Sequence, residues 1–490
     1  MKSTFPIYAC VLTFCGLAAI AQAQSAPTKS VQAKFVPRTP TASVAMAHDP
    51  ALPSPGPIGV TADFNGDGKM DVATVNNPSG GVTIRLGKGD GTFLPPVTYH
   101  ERYHYDAIVV GDFNGDGKLD LAVSVPFLCG GCGGEPSFVL QVFFGVGDGT
   151  FTTVTYPRPI YGLPLAAGDF NGDGKMDLIV GTTDYDGTDW YPSVAISNGD
   201  GTFRDSESLA DTFYATYPAV GDFNGDGKLD IALPGFDYYQ GNPITYVYLG
   251  KGNGTFAAPA VYTSPQYWVS SAAVGDFNGD GKLDIVTDGI QVLLNNGDGT
   301  FTNDASVNLT GSNFVGGVAV GDFNGDGKPD FAAGASLQLP GSSYVLLSNG
   351  DGSFQTDTVE GAQILGAADF NGDGHLDLLT AAGIYLQTPA SLLPTSVNFG
   401  DVPVNTVSAP QTVTLTNVGN SAMTIKSLVL SGSTTFTQTN TCGSSLASGK
   451  SCQIQLLFAP TVSGLPVSAV VTVTVPGAPP STVSVSGFGE

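Results

Sequence analysis

An acidic motif with the spacing of a cation-binding loop occurs seven times in the sequence. In its first copy, Asp63, Asn65, Asp67 and Asp71 occupy positions 1, 3, 5 and 9, and Lys69 stands at position 7. Four oxygen-bearing side chains and the backbone carbonyl of position 7 make a ligand set that suits Ca²⁺. Mg²⁺ fits it less well, because Mg²⁺ retains several of its waters. The motif therefore predicts a calcium site.

The other six copies keep this pattern, with His in place of Lys at position 7 of the last copy. Their predicted metal ligands are Asp112, Asn114, Asp116, Lys118, Asp120, Asp169, Asn171, Asp173, Lys175, Asp177, Asp222, Asn224, Asp226, Lys228, Asp230, Asp276, Asn278, Asp280, Lys282, Asp284, Asp322, Asn324, Asp326, Lys328, Asp330, Asp369, Asn371, Asp373, His375 and Asp377. A single copy would fit a solvated turn equally well, but seven copies that retain every side-chain ligand favour metal. We expect about one structural Ca²⁺ per copy, since three carboxylates in one turn repel one another.

The motif must connect two β-strands, because a short apolar run precedes and follows each copy. A third strand and a second turn, of sequence GDGTF, GNGTF or GDGSF, come next, and the Gly after Asp or Asn supplies the positive φ of a tight hairpin. With a weaker fourth strand, each unit of about 50 residues contains the four antiparallel strands of one propeller blade. We interpret the second turns as plain hairpins.

The seventh unit lacks a second turn and a fourth strand of its own. Residues 33 to 45 are similar to the segments that follow the second turns, with Phe35 in the place of Phe93. An N-terminal strand there would complete the seventh blade and close the ring, which removes exposed sheet edges. The predicted fold is all-β, with a seven-bladed β-propeller over residues 24 to 388 and an Ig-like β-sandwich over 389 to 490. No long amphipathic helical pattern competes with it.

The string DxNxDGxxD after an apolar strand resembles the FG-GAP repeat of integrin-α propellers and the VCBS-type repeats of bacterial relatives, over roughly residues 31 to 388. The resemblance implies that the calcium loops lie on one face and that the connectors between strands 4 and 1, and between strands 2 and 3, lie on the other. Aromatic residues gather in these connectors, where they either pack the blade seams or form a ligand face. The candidate face comprises Tyr103, Tyr185, Trp190, Tyr191, Tyr214, Tyr238 and Trp268, and Tyr217 is another aromatic residue of the same connectors.

The last hundred residues alternate apolar and polar side chains in runs such as those at 412 to 417 and 453 to 458, which is typical of a β-sandwich. Two runs in this region, SVNFGDVPVNT and LTNVGN, precede a pair of cysteines, Cys442 and Cys452. This part of the sequence resembles the ASH-type, Hydin-like Ig fold found as a choice-of-anchor module in bacterial surface proteins. That resemblance implies a spacer or docking domain.

The first 23 residues have the positive charge, apolar run and small-residue end of a secretory signal peptide. Beyond them, the cysteines form two close pairs, Cys129 with Cys132 and Cys442 with Cys452, which predicts two local disulfides in an exported chain. Half a zinc site is the alternative for the first pair, but no second ligand pair lies near it. We expect a monomer that is secreted or located at the surface or in the periplasm of a bacterium.

The formal net charge of −25 argues against nucleic acid as a partner, and no later apolar run is long enough to span a membrane. The string HERYH from His100 to His104 matches a zinc-protease motif, but that motif requires a helix where the repeat predicts a strand end and a loop. We therefore expect a non-enzymatic calcium-binding module for adhesion to an extracellular protein or glycan. A glycan-binding lectin, or a carbohydrate-active enzyme like the polysaccharide lyases built on similar propellers, is the alternative.

Overall fold

The structure is a computed structural model of the chain, and every described element of regular structure in it is a β-strand. It describes residues 46–48, 58–75, 81–100, 107–128, 136–154, 162–183, 190–209, 213–215, 217–237, 242–264, 269–304, 314–324, 326–335, 343–359, 364–372, 374–380, 383–387, 389–394, 396–417, 422–464, 466–476 and 480–490. The predicted all-β class is confirmed. The predicted signal peptide, Phe35 and the pair Cys129 and Cys132 lie outside the described residues.

Among the described residues, the repeat region contains seven antiparallel sheets, and the first described strand, β1 (Met46–His48), belongs to the last of them. The first sheet contains β2 (Ile58–Ala62), β3 (Asp71–Val75), β4 (Val82–Arg85) and β5 (Val97–Tyr99). The second contains β6 (Ile108–Gly111), β7 (Asp120–Leu128), β8 (Pro136–Gly145) and β9 (Phe151–Val154). The third contains β10 (Leu163–Gly168), β11 (Asp177–Thr183), β12 (Trp190–Ser197) and β13 (Phe203–Ser208).

The fourth sheet has five strands, because its innermost strand is divided in two. It contains β14 (Phe213–Ala215), β15 (Ala219–Gly221), β16 (Asp230–Asp237), β17 (Asn242–Tyr248) and β18 (Ala260–Thr263). The fifth contains β19 (Ala272–Gly275), β20 (Asp284–Thr287), β21 (Val292–Asn295) and β22 (Phe301–Asp304). The sixth contains β23 (Phe314–Gly321), β24 (Asp330–Ala335), β25 (Ser343–Ser348) and β26 (Phe354–Val359).

The seventh sheet combines both ends of the repeat region. It contains β27 (Ile364–Ala368), β28 (Asp377–Thr380) and β29 (Gly383–Gln387), and β1 pairs with β29, with Met46 opposite Gln387. An N-terminal strand thus fills the fourth position, as the repeat count suggested. The paired residues are 46 to 48, however, and the predicted range 33 to 45 lies outside the described residues.

Several strands of the repeat region are buried on both faces. All five residues of β3 and all four of β20 and β28 are buried, because each sheet packs between two neighbours. The sheets contact one another in chain order, and β2 of the first sheet also contacts β27 of the seventh. The Gly91 N–H, in the first sheet, donates to the Phe370 carbonyl, in the seventh, at 3.0 Å. The apolar clusters therefore run between sheets, and no sheet has a core of its own.

The C-terminal domain is a sandwich with one exposed face per sheet. Its strands are β30 (Ala390–Leu393), β31 (Ser396–Val402), β32 (Gln411–Asn417), β33 (Met423–Thr424), β34 (Ser427–Gly432), β35 (Phe436–Asn440), β36 (Ser445–Leu446), β37 (Ser451–Phe458), β38 (Pro466–Thr474) and β39 (Ser481–Gly489). One sheet has the order β30-β32-β37-β35 and the other β31-β39-β38-β34, with β31 and β39 parallel. Residues of β37 and β39 alternate between exposed and buried, as a two-layer packing requires.

The predicted disulfide of the sandwich is present. Cys442 and Cys452 are bonded, with their Cα atoms 5.1 Å apart. Cys452 lies on β37 and packs in the domain core with Phe436 and Phe458, whose rings stack at 4.6 Å.

Candidate metal centres in the Asp-rich loops

The third loop illustrates how the motif folds. Asp169, at position 1, accepts three backbone N–H bonds, from Gly172 at 2.7 Å, Asp173 at 3.1 Å and Gly174 at 2.8 Å. Asn171 Oδ1 accepts the N–H of Asp173 at 2.8 Å. These bonds curl the backbone around the position-1 carboxylate, and Gly174 takes a φ of +82° that residues with a Cβ rarely adopt.

Position 5 of the loop faces solvent and pairs with a lysine. Asp173 Oδ1 accepts the Lys175 N–H at 3.0 Å, and its Oδ2 lies 3.9 Å from Lys175 Nζ. In the other five loops with Lys at position 7, the same ammonium-to-carboxylate distance is between 2.9 and 3.8 Å. An ammonium group therefore stands beside the exposed oxygens of each of these six loops.

Position 9 lies beneath the loop and joins it to the third strand. Asp177 is fully buried, and its Oδ2 accepts the N–H of Phe170 at 3.1 Å while its Oδ1 accepts that of Ser197, at the end of β12, at 2.8 Å. Burial raises the pKa of Asp177 to about 6 and outweighs these two hydrogen bonds, which lower it. The negative charges of Asp173 and Asp169 raise the pKa further. Three carboxylates of one loop are thus close enough to repel one another.

The position-9 carboxylate has the same role in every loop. The seven aspartates at this position have no exposed surface: Asp71, Asp120, Asp177, Asp230, Asp284, Asp330 and Asp377. Each accepts one N–H from the Phe at position 2 and one from a residue at or just after the end of the third strand of its sheet. Burial raises the pKa of Asp71, Asp120 and Asp284 to about 6 and that of Asp330 to about 7. The sequence pattern indicated a ligand here, but not this structural anchor.

The seventh loop differs from the others in its surroundings. His375, at position 7, is 7% exposed and Asn371, at position 3, is 5% exposed, whereas the lysines and asparagines at these positions elsewhere are exposed or half-buried. Asp369 still accepts the N–H bonds of Gly372 and Gly374. The predicted ligand Asp373 lies outside the described residues.

The donor chemistry of the loops fits Ca²⁺. Side-chain oxygens from positions 1, 3 and 5 gather around one turn, and each oxygen of the position-9 carboxylate accepts one N–H, which leaves lone pairs for a cation. Within the described part of the chain, no group of three or more His, Cys, Asp or Glu side chains could hold a metal ion on its own. A calcium ion would also draw on the Asn at position 3 and the carbonyl at position 7. Calcium binding stays a prediction.

The second turns connect neighbouring sheets through hydrogen bonds and ring contacts. The interpretation of these turns as plain hairpins did not predict this. The N–H groups of Gly201 and Gly254 donate to the carbonyls of Phe113 and Phe170, each at position 2 of the Asp-rich loop in the preceding sheet, at 3.0 and 2.9 Å. The Phe that ends each second turn packs against the same loop Phe at centroid distances of 5.6 to 6.2 Å. These pairs are Phe93–Phe370, Phe151–Phe64, Phe203–Phe113, Phe256–Phe170, Phe301–Phe223 and Phe354–Phe277. The sequence signal that could have predicted these ring pairs is the Phe that recurs at the same position of each motif.

Few aromatics of the candidate ligand face lie within the described structure. Tyr191, on β12, is half-buried, and Trp190 and Tyr214 lie on β12 and β14. Tyr217 is 6% exposed and packs in the core between the third and fourth sheets, so it does not belong to a surface. Tyr103, Tyr185, Tyr238 and Trp268 lie outside the described residues, and the face stays a prediction.

The zinc-protease string has a non-helical environment where it is described. His100 follows β5 directly, has a φ of 52°, and packs its ring edge-on against Phe143 at 5.6 Å. The rest of the string lies outside the described residues. In the described part of the chain, there is also no long apolar helix of the kind that crosses a bilayer.

Family profiles of two kinds, for FG-GAP repeats and for an Ig-like domain, match the chain. The profile described as FG-GAP-like repeat matches residues 63–123, 128–180, 169–233, 238–287 and 287–333, and a related FG-GAP repeat profile matches 218–249. The profile described as HYDIN/CFA65/VesB-like, Ig-like domain matches residues 391–488. Both matches agree with the layout predicted from the sequence. No curated protein matches the chain.

Solved structures give weaker similarities. The biofilm matrix protein Bap1 of Vibrio cholerae is 16% identical, with 79% of this chain and 62% of Bap1 covered and a TM-score of 0.35. The ASH / PapD-like domain of human CEP192 is 14% identical, with 21% of this chain and 86% of that domain covered and a TM-score of 0.18. The secreted serine protease VesC of Vibrio cholerae is 12% identical, with 55% of this chain and 62% of VesC covered and a TM-score of 0.19.

Proposed function

This chain belongs to the FG-GAP-like repeat family, whose profile matches more than half of its residues, and we propose that it is an extracellular, calcium-binding adhesion module without enzymatic activity. The proposed architecture is a closed seven-bladed β-propeller with the Ig-like domain as a spacer. The contact between the first and seventh sheets supports closure, because an open array would leave one face of each terminal sheet exposed.

The observation that carries the calcium proposal is the arrangement of charges in the loops. In the six loops with Lys at position 7, the buried position-9 carboxylate lies within range of the charges at positions 1 and 5, as for Asp120 with Asp116 and Asp112. Six loops also keep a lysine ammonium beside the position-5 oxygens. A divalent cation would neutralise the repulsion that one ammonium offsets only in part.

Calcium binding is tested by following the unfolding of the repeat region alone. Both tryptophans of the chain, Trp190 and Trp268, lie in that region, so their fluorescence is insensitive to the sandwich. We expect the melting temperature to fall on addition of excess EDTA and to recover with Ca²⁺ at roughly 10⁻⁴ to 10⁻³ M, the range of extracellular modules. A melting temperature that EDTA leaves unchanged would contradict the proposal, and so would equal recovery with Mg²⁺.

A binding role is favoured over catalysis by the shortage of basic side chains. In the described loops, the position-7 lysines already pair with aspartates, as Lys228 does with Asp226 at 2.9 Å. Arg102 and Arg158, which the sequence places in the same connectors as the aromatic residues of the candidate face, lie outside the described residues. A protein or glycan partner would be recognised by the aromatic residues of that face.

The partner proposal is tested with Trp190→Ala and Trp268→Ala on a glycan and cell-surface array. Each variant should lose binding to whatever the parent recognises while keeping its calcium-dependent melting transition. Unchanged binding by both variants would remove the aromatic face as the ligand site. In parallel, incubation with acidic polysaccharides should give no new ultraviolet absorbance, whereas an unsaturated product would establish the lyase alternative.

A further inference from the structure

A buried arginine lies in the first sheet without a charged partner. Arg85, the last residue of β4, is only 9% exposed. In the part of the chain that the structure describes, its guanidinium has one hydrogen bond, from Nη1 to Thr74 Oγ1 at 3.3 Å, and its buried Nε has no acceptor. Among the described residues, no carboxylate oxygen lies within the 4.0 Å of an ion pair with it.

Such a charge is costly to leave uncompensated. Burial lowers the pKa of Arg85, yet a guanidinium remains protonated at any physiological pH. Buried charges in folded proteins are paired or hydrogen-bonded, because removal of a charge from water costs free energy that a counter-charge and hydrogen bonds must offset. The side chain has five N–H donors, and the structure accounts for one of them.

Arg85 faces the seam between the first and seventh sheets. The next residue, Leu86, turns toward the second sheet, where a Cβ on Gly149 would come within 2.6 Å of its methyl group. Successive side chains along an extended strand point to opposite faces, so Arg85 points to the other side. That side is where the first sheet packs against Leu379 and Ile384 of the seventh sheet.

The repeat provides six comparisons for this position. In each sheet, one residue of the third strand pairs with the residue that follows the position-9 Asp, as Arg85 pairs with Val72. The equivalents in the other six sheets are Phe143, Ala195, Tyr248, Leu293, Leu346 and Tyr385. The other six sheets therefore have an apolar or aromatic residue at this position. A cationic residue stands there only in the first sheet, where the two ends of the repeat region meet.

We infer that Arg85 forms a binding site for a small carboxylate anion between the first and seventh sheets. The guanidinium edge that carries Nε can donate two parallel N–H bonds to a planar carboxylate. Hydroxyl groups continue from it: Thr74 Oγ1 donates to the Thr83 carbonyl at 3.5 Å, and Thr83 Oγ1 lies 3.0 Å from Thr98 Oγ1. A bound anion would hold the seam by completing the hydrogen bonds of Arg85. This inference does not depend on the calcium proposal.

The test uses the full chain with formate as the probe. Sodium formate replaces sodium chloride at constant ionic strength and constant Ca²⁺, and tryptophan fluorescence follows the melting of the repeat region. We expect the melting temperature to rise by about 2 °C or more with increasing formate, because a ligand of the folded state alone stabilises it. The variant Arg85→Met should lose this response, and it should fold because equivalent positions hold Leu or Phe.

Arg204→Met is the matched control, since Arg204 lies exposed on β13. It should keep the full response to formate, which separates a specific site from a general effect of the salt. The inference is overturned if formate leaves the parent unchanged, if Arg85→Met responds as the parent does, or if both arginine variants lose the response equally.

Discussion

At the residue scale, the aspartates of one loop divide into two roles. Position 5 holds an exposed carboxylate and position 1 a half-buried one beside the turn, whereas position 9 is buried under it and receives two backbone N–H bonds. A spacing argument treats all of them as ligands, because it counts oxygens without knowing which carboxylates are buried. The two roles predict different consequences of mutation.

Asp177→Ala should destabilise the protein even without calcium. The substitution leaves the buried N–H groups of Phe170 and Ser197 without an acceptor, which costs about 2 to 4 kcal/mol of unfolding free energy. Asp173→Ala, in the same loop, should change that free energy little, because its side chain is exposed. Urea unfolding in EDTA, followed by tryptophan fluorescence, measures both. Equal losses in the two variants would show that position 9 is not an anchor.

Asp288, outside the loops, should make stability depend on pH. It is fully buried in the turn after β20, where its carboxylate accepts hydrogen bonds from the N–H and hydroxyl groups of Ser270 and the N–H of Ser271. Burial raises its pKa from 3.8 to about 6, against the lowering by these bonds. The folded state then binds the proton more tightly than the unfolded state does. Its contribution to stability is full below pH 3.8 and is lost as pH rises through 6.

Asp288→Asn should remove this part of the pH dependence. The amide keeps an oxygen for the N–H groups of Ser270 and Ser271, and the Ser270 hydroxyl can rotate to accept from its NH₂. Relative to the variant, the unfolding free energy of the parent should fall by up to about 3 kcal/mol between pH 4 and 7 in EDTA. Denaturant unfolding at several pH values measures the difference. Parallel curves for the two proteins would argue against a raised pKa.

At the element scale, the second turns determine how one sheet meets the next. Their Gly N–H groups and their Phe rings both reach position 2 of the preceding Asp-rich loop. The Asp-rich loop is in turn held by its own position-9 carboxylate. Each seam thus consists of two turns that support each other, and damage to one turn should loosen two sheets.

Gly201→Ala should be far more destabilising than Gly174→Ala. Both glycines have a φ above +80°, so both substitutions introduce backbone strain of similar size. A Cβ at Gly201, however, would lie 2.2 Å from the ring of Phe144 in the preceding sheet, whereas one at Gly174 meets nothing within 4 Å. We expect a melting temperature lower by several degrees for Gly201→Ala alone, measured by tryptophan fluorescence. Similar decreases in both variants would show that the seam tolerates displacement.

At the scale of the whole molecule, the two ends of the repeat region form one sheet. Strand β1 pairs with β29 over three residues, and the first sheet packs on the seventh. The sequence placed the closing strand at 33 to 45, because those residues are similar to the segments after other second turns. Pairing register depends on which backbone groups meet across the sheet, and a similarity in composition does not determine it.

Two N-terminal truncations should separate these possibilities. Removal of residues 24 to 57 deletes β1 and exposes the edge of β29, so we expect a lower melting temperature and aggregation through the open edge. Removal of residues 24 to 45 keeps β1 and should be milder. Light scattering and tryptophan fluorescence measure both effects. If the shorter deletion is as damaging as the longer one, residues 33 to 45 contribute to closure in their own right.

The sequence by itself determined the local features of this protein. Seven Asp-rich motifs, the strands around them, the Gly-containing hairpins and the presence of an Ig-like domain were all predictable, because spacing and turn chemistry act between residues that are close in the chain. The Cys442 to Cys452 disulfide was predictable for the same reason.

Only the tertiary structure decided which groups meet across sheets. The anchoring role of Asp177, the ring pairs such as Phe203 with Phe113, the burial of Tyr217 and the unpaired guanidinium of Arg85 all depend on contacts between distant segments. The sequence marks every Asp and Phe in the repeat alike. The structure distinguishes them, because burial and hydrogen bonding depend on the neighbouring sheet, and the first and seventh sheets meet where the repeat pattern itself is interrupted.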